Sequence, residues 1–253
     1  MVVIKKRNKY RNTNNNQSKL ASLLCPSPQC GSLINSSMPI DLYYLLISPP
    51  CRAVMLTAEA VGVKLNLKEL DIFKGEQMKP EFVALNPQHC IPTLVDGDFV
   101  IWESRPMCSY LASKYGKDDS LFPNDPRARA EVERLNYFDM GTLFHRFGEY
   151  VFPVMFQGEK ELNPDKLARL QEALGWLDGF LSGHKFAAGD NITIADHILL
   201  ATVSTIKEAD VDLSKHANIL AWLEKCKAEV PGYETNQKGA EDWGKFFKSR
   251  CNL

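Results

Sequence analysis

The chain has 253 residues, of which 45% are hydrophobic and 24% charged. That length suits one large domain or two of roughly 100 to 150 residues, and the composition excludes bulk disorder, collagen-like structure and extreme charge. The formal net charge of −1 hides an asymmetry: residues 1–37 hold six Lys or Arg and no Asp or Glu, leaving 24 basic against 31 acidic side chains in the rest, a net of −7.

Residues 1–37 are rich in Asn, Ser and Lys with no sustained apolar period, and read as a disordered basic extension. The competing reading, an organelle transit segment, is disfavoured because Arg is sparse and no amphipathic helix can be drawn through Asn12 to Gln17. After Met38 the β-branched and aromatic run Ile40 to Leu45 predicts a buried strand, ended by Ser48-Pro49-Pro50. A helix follows, with Cys51, Val54, Met55, Ala58 and Val61 at helical spacing and Gly62 as its stop. Val63 to Leu70 alternates apolar and polar residues and predicts a second strand, and residues 75–85 form a weak helix or loop. Thr93 to Val95 and Phe99 to Trp102 flank Asp96-Gly97-Asp98, a hairpin signal, and Arg105 to Tyr115 predicts a helix closed at Gly116. The order β-α-β-α-β-β-α predicts an α/β domain over 38–117.

Residues 118–125 turn polar and carry Pro123, as linkers do. Beyond them strand signals vanish, and helical periodicity appears at 127–156, 164–182, 193–208 and 217–229, with a weaker segment at 239–248. Thr193 and Asp196 have the spacing of a capping box. Residues 126–253 are therefore expected to be all-helical.

No window approaches the ~18 apolar residues of a membrane span, so no membrane partner is expected. The acidic body argues against a nucleic-acid groove. Seven scattered cysteines, with no Cys-x-x-Cys, suit a reducing compartment, which makes the expected location cytoplasmic. With no Cys-x-x-Cys and five scattered histidines, no metal is expected.

Four features of the α/β half converge on a small anionic peptide bound against exposed backbone. Ile91-Pro92-Thr93 precedes a strand, where the proline is either a cis residue presenting backbone to a ligand or an edge-strand proline. Glu103-Ser104-Arg105-Pro106 stands at a strand-to-helix junction with Ser104 at the expected N-cap. Such a terminus either is simply capped or binds a carboxylate, with Glu103 left to pair an ammonium on the same ligand. Ser48 has the same two readings at the first helix, and Cys51 beside it is either a low-pKa thiol or a buried structural cysteine. His89, just before the Cys90-Ile91-Pro92 turn, can reach a carboxylate or sit free on the surface.

In this order the motifs resemble the glutathione transferases, particularly the insect delta and epsilon classes, over residues 39–249. Ser48-Pro49-Pro50-Cys51-Arg52-Ala53-Val54, Asn86-Pro87-Gln88-His89, Ile91-Pro92-Thr93-Leu94, Trp102-Glu103-Ser104-Arg105, Tyr137 to Leu143 and the Thr193 to Asp196 box carry the likeness. The resemblance implies a thioredoxin-like first domain, an all-helical second domain, a cis Pro92, glutathione as co-substrate and a homodimer. It implies that Ser48 stabilises the glutathione thiolate. It places His89 near the glycine end of glutathione and the Ile91 backbone along its cysteinyl part, and gives Glu103, Ser104 and Arg105 the γ-glutamyl end. Gln77 stands where many relatives carry a second histidine, and Leu46 and Ile47 replace the Pro and Gly that delta enzymes often show, which makes the rim bulkier.

The stripe Phe144, Phe147, Tyr150, Val151, Met155 and Phe156 would by spacing alone mean core packing. The resemblance instead assigns Phe144, Phe147, Phe152, Met155 and Phe156 to an electrophile pocket, with Leu45 and Pro50 from the first domain and Phe246 and Phe247 closing it. The expected activity is conjugation of glutathione to hydrophobic electrophiles, a detoxification chemistry. The rival readings are a thioltransferase or peroxidase using Cys51, and a non-catalytic carrier of hydrophobic ligands.

Overall fold

Strand β1 (Ile40–Tyr44) lies at the centre of a four-stranded sheet, parallel to β2 (Leu65–Glu69) on one side and antiparallel to β3 (Thr93–Asp96) on the other. The structure is a computed structural model and describes residues 39–251; the disorder expected for 1–37 lies outside the described residues. Leu42 and Leu94, paired across β1 and β3, are fully buried, as the central position of their strands requires. β4 (Phe99–Trp102) closes the edge through a hairpin whose two-residue turn uses Gly97 at φ 65°.

Helix α1 (Pro49–Ala60) starts with two prolines in its first turn and buries Cys51, Ala53, Val54 and Ala58. After a 3-10 turn at Ile72–Lys74, the segment 75–85, read as a weak helix or loop, holds a second 3-10 turn, Glu76–Met78, and the short α2 (Pro80–Leu85). Helix α3 (Ser104–Tyr115) packs against α1. Its cap corrects an expectation: Ser104 is the first helical residue and Glu103 is the cap, at φ 73°.

The predicted helix over 127–156 is α4 (Pro126–Phe138) and α5 (Phe144–Phe156), joined by a π-helical turn, Asp139–Leu143. That turn places Asp139 fully inside the protein. Helices α6 (Pro164–Leu181), α7 (Ile194–Glu208) and α8 (Ala217–Glu229) follow, and α7 packs across α1. The weak C-terminal segment is the long α9 (Tyr233–Cys251). Its buried face is Asn236, Gly239, Ala240, Trp243, Gly244 and Phe247, a stripe at helical spacing built mostly from small or polar residues, which hydrophobic patterning reads poorly. Among the described residues no helix is long and apolar enough to cross a membrane.

Two buried polar groups secure α7. Asp196 completes the capping box with Thr193 and also accepts from the Ala187 N–H at 2.8 Å and the Trp222 indole at 2.9 Å. His197, fully buried, lies 3.1 Å from the Thr57 hydroxyl, which itself donates to the Ala53 carbonyl; the imidazole Nδ1–H is therefore the donor. Burial pushes the His197 pKa from 6.5 down to about 4. A folded pKa below the unfolded one means that the native state binds fewer protons in this window. The stabilisation is therefore intact above pH 6.5 and is lost as pH falls toward about 4. The loss amounts to roughly 3 kcal/mol at most. The urea midpoint should drop between about pH 7 and about pH 5, and less in His197→Gln. An equally steep drop in the variant would assign the effect to another group.

Candidate active site

The sharp end of β1 and the start of α1 place Ser48 on the wall of a cleft of about 410 Å³. The turn Leu45 to Ser48 closes by a Ser48 N–H bond to the Leu45 carbonyl at 3.0 Å. Ser48 is the N-cap of α1, yet its side chain makes no cap bond to the backbone; the hydroxyl stands beside the positive end of the helix with the Cys51 thiol as a neighbour. Leu45, Ile47, Pro49 and Pro50 complete this wall, and His89, Cys90 and Ile91 form the next, with Gln77 beside them. The Gln77 side-chain oxygen is buried without a hydrogen-bond partner, an unsatisfied group that native interiors rarely leave.

The Ile91–Pro92 peptide is cis. Register then brings this bend near the start of α3: Thr93, directly after Pro92, pairs with Trp102, the residue directly before Glu103. Glu103, Ser104 and Arg105 do not line the cleft itself. Glu103 is exposed, Ser104 is buried, and Arg105 is committed internally. The Arg105 guanidinium pairs with Asp139, donates to the Ser104 hydroxyl oxygen at 3.0 Å and lies 5.5 Å from the Phe144 ring centre. Burial pushes the Asp139 carboxyl up from the ordinary aspartate range, and the Arg105 charge opposes that rise. Three non-glycine residues among those described have positive φ, and two of them, His89 and Glu103, stand at this site. Such conformations persist where the surroundings hold them, and they cluster at functional positions.

The opposite side of the cleft is aromatic. Phe144, Phe152, Met155 and Phe156 face it from α5, and Trp243 and Phe246 from α9. Phe152 lies over Gly148, where a Cβ would stand 2.8 Å from the ring. Two expectations are corrected: Phe147 and Phe247 are core residues, packed on Trp243 at ring distances of 5.3 and 5.1 Å. At about 100° per residue the lining residues span an arc from Phe144 through Phe152 to Phe156, and Phe147 falls about 60° outside it on the core side. Phe246, one position before Phe247, reaches the cleft instead.

Residues 47–114 match the model of the glutathione S-transferase N-terminal domain, and residues 138–229 that of the C-terminal domain. Glutathione S-transferase D7 of Anopheles gambiae is 48% identical over 212 residues, 83% of this chain and 97% of the relative. The chain belongs to the glutathione S-transferase family. A delta-class glutathione transferase structure from Nilaparvata lugens shares 51% identity with a TM-score of 0.82, covering 84% of this chain and 100% of that one. A Bombyx mori glutathione transferase structure shares 44% identity with a TM-score of 0.80, covering 83% and 98%. The sheet with its helices is the thioredoxin-like domain of the transferase fold, and α4 to α9 are its all-helical domain.

Placed in a transferase, several lining residues were invisible to sequence patterning. Ile72 and Phe73 come from a 3-10 turn that carries no periodicity, between the predicted second strand and the segment 75–85, and Trp243 from the helix with the small-residue face. Phe73 is half exposed and stands between two rings of the helical domain, 4.9 Å from Phe246 and 6.4 Å from Phe156. Asp71 orients it by accepting from the Phe73 and Lys74 N–H groups. Cys51 takes the structural reading. It is fully buried, and burial pushes its thiol up to about 11 against a hydrogen bond from Ser48. A thiol with that pKa is ionised to roughly one part in ten thousand at neutral pH.

Proposed function

We propose that this transferase binds glutathione along the Ser48, Ile91 and Glu103 side of the cleft and passes its thiolate to hydrophobic electrophiles held by the aromatic side. The observation that carries this reading is the uncapped Ser48 hydroxyl at the α1 N-terminus, on a wall that faces Phe144, Phe152, Met155 and Phe156. Ser48 is assigned to the thiolate and the Ile91 backbone to the cysteinyl part. Ser104 and Glu103 take the γ-glutamyl carboxylate and ammonium, with Arg105 holding the Ser104 hydroxyl. His89 and Gln77 take the glycyl end; turned over, the Gln77 amide presents its NH2 to a carboxylate from the spot where its oxygen lacks a partner. Leu45, Pro50, Phe73 and Phe246 complete the electrophile side.

A free thiol of pKa about 8.5 is only ~3% thiolate at pH 7, and lowering it by two units makes it about 75% ionised, a ~25-fold gain in nucleophile. The shift requires about 2.7 kcal/mol, within reach of a charge-assisted hydroxyl bond of ~1.5 to 3 kcal/mol together with a helix terminus. No general base is required, and the mechanism has no step for a metal.

The same reading assigns glutathione binding to 38–117, electrophile binding to 126–253 and a linker to 118–125. It carries over the family's homodimer and a cytoplasmic setting, and the exposed Tyr137 and Met140 on the α4 to α5 rod suit a subunit contact. Steady-state turnover of glutathione with a chlorodinitrobenzene is the test. Turnover that persists in Cys51→Ala supports the reading; saturable binding without turnover would favour the carrier, and loss of activity in Cys51→Ala the thioltransferase.

Phe73 should tune specificity. Phe73→Ala removes stacking partners worth about 0.5 to 1.5 kcal/mol each, so KM for a planar aromatic electrophile should rise roughly three- to tenfold with kcat little changed. Glutathione KM should stay put. An equal rise for a small alkyl halide would mean that Phe73 supports the cleft wall without selecting flat substrates.

A further inference from the structure

Arg52, in the first turn of α1, is a fully buried cation whose hydrogen-bond acceptors are all neutral. Its guanidinium donates to the Asn236 side-chain oxygen at 2.7 Å, to the Asn236 carbonyl at 3.0 Å and to the Thr205 hydroxyl, with Ser204 at 3.4 Å. Burying a charge without a counterion is costly, and these acceptors all come from the helical domain, on α7 and α9. One turn along α9 from Asn236 lies Gly239. A Cβ there would stand 2.5 Å from Arg52 Cδ and 2.6 Å from the Leu46 carbonyl oxygen, so α9 meets the β1 to α1 turn at a distance that only glycine allows.

Both contacts bracket Ser48. Leu46 lies two residues before it inside the closed turn, and the Arg52 N–H, four residues after it, donates to the Ser48 carbonyl at 3.1 Å. The same helix carries Trp243 and Phe246 to the electrophile side of the cleft.

We propose that Asn236 and Gly239 of α9 are positioning residues for Ser48, clamping the β1 to α1 turn through Leu46 and Arg52 so that the hydroxyl is held against the glutathione sulfur. The proposal rests on the reading of Ser48 as the thiolate's partner. A displacement of about 1 Å is enough to weaken such a bond severely. The clamp also joins the two halves of the site, because the helix that contacts the electrophile fixes the turn that activates the thiol.

The test is the ultraviolet titration of the bound glutathione thiolate, with steady-state kinetics, in Gly239→Ala, Asn236→Ala and Asn236→Asp. Gly239→Ala should raise the bound thiol's pKa by about one unit and lower kcat about tenfold near neutral pH, with glutathione KM changed less than about threefold. Asn236→Ala creates no overlap, and should shift the titration in the same direction even if Gly239→Ala does not fold. Asn236→Asp keeps an acceptor for Arg52 and should recover most of the loss. Folded variants with a lower melting temperature but the parent's titration would reduce these contacts to packing and overturn the proposal. Ser48→Ala separates the two failures. If it raises the thiol pKa while the α9 variants do not, the clamp alone is wrong; if it leaves the titration unchanged, the reading of Ser48 is wrong.

Discussion

Replacing Ser48 with alanine is expected to lower turnover at least about tenfold at neutral pH while glutathione still binds. The hydroxyl makes no cap bond to the backbone, so on the proposed reading its loss removes a donor to the thiolate without disturbing a cap. The contacts proposed for the rest of glutathione, at Ile91, Ser104 and Gln77, are untouched, so KM for glutathione should change much less than kcat. The pH dependence of kcat should move upward toward the free thiol value of about 8.5. Ionisation of the bound thiol is the only titration that the mechanism requires. A variant whose pH–rate profile overlays the parent's would show that the helix terminus alone lowers the thiol pKa.

Asp196→Ala should be the most destabilising single change in the helical domain. Asp196 is fully buried and accepts from the Ala187 N–H, the Thr193 N–H and the Trp222 indole at 2.8 to 2.9 Å. Truncation leaves these donors buried and unpaired, at about 1 to 3 kcal/mol each, and a combined loss of about 3 to 5 kcal/mol is of the size that unfolds marginal domains. Asp196→Asn keeps one acceptor oxygen and should lose less. Urea denaturation reads both; a loss under about 1 kcal/mol in Asp196→Ala would mean that water or a rearranged loop satisfies the donors.

Local signals carried much of this architecture. Alternation marked β2, the Asp96-Gly97-Asp98 turn marked the hairpin, and Thr193 with Asp196 marked the start of α7, because each is written in neighbouring residues. Ser48 and the start of α3 were legible as helix termini for the same reason. The misses are long-range or depend on phase. Arg105 pairs with Asp139 from 34 residues away, through a π turn that no periodicity announces. Glu103 is the cap, and Ser104 enters the helix with its oxygen accepting from Arg105, a side-chain pairing that residue type alone does not announce. Phe147 and Phe247 share their helices with cleft residues and differ from them only in rotation, which spacing resolves poorly when a stripe is aromatic on both flanks. Gly239 carries no side chain at all, and its meaning is the backbone of another element pressed against it.

The most direct test of the account is the titration of glutathione's thiol when bound to the unmodified protein, followed by thiolate absorbance against pH. The account predicts half-ionisation about two units below the free value of about 8.5, so that most of the bound thiol is already thiolate at neutral pH. Bound glutathione that ionises where the free peptide does would contradict it, because Ser48 and the α1 terminus would then hold the co-substrate without activating it.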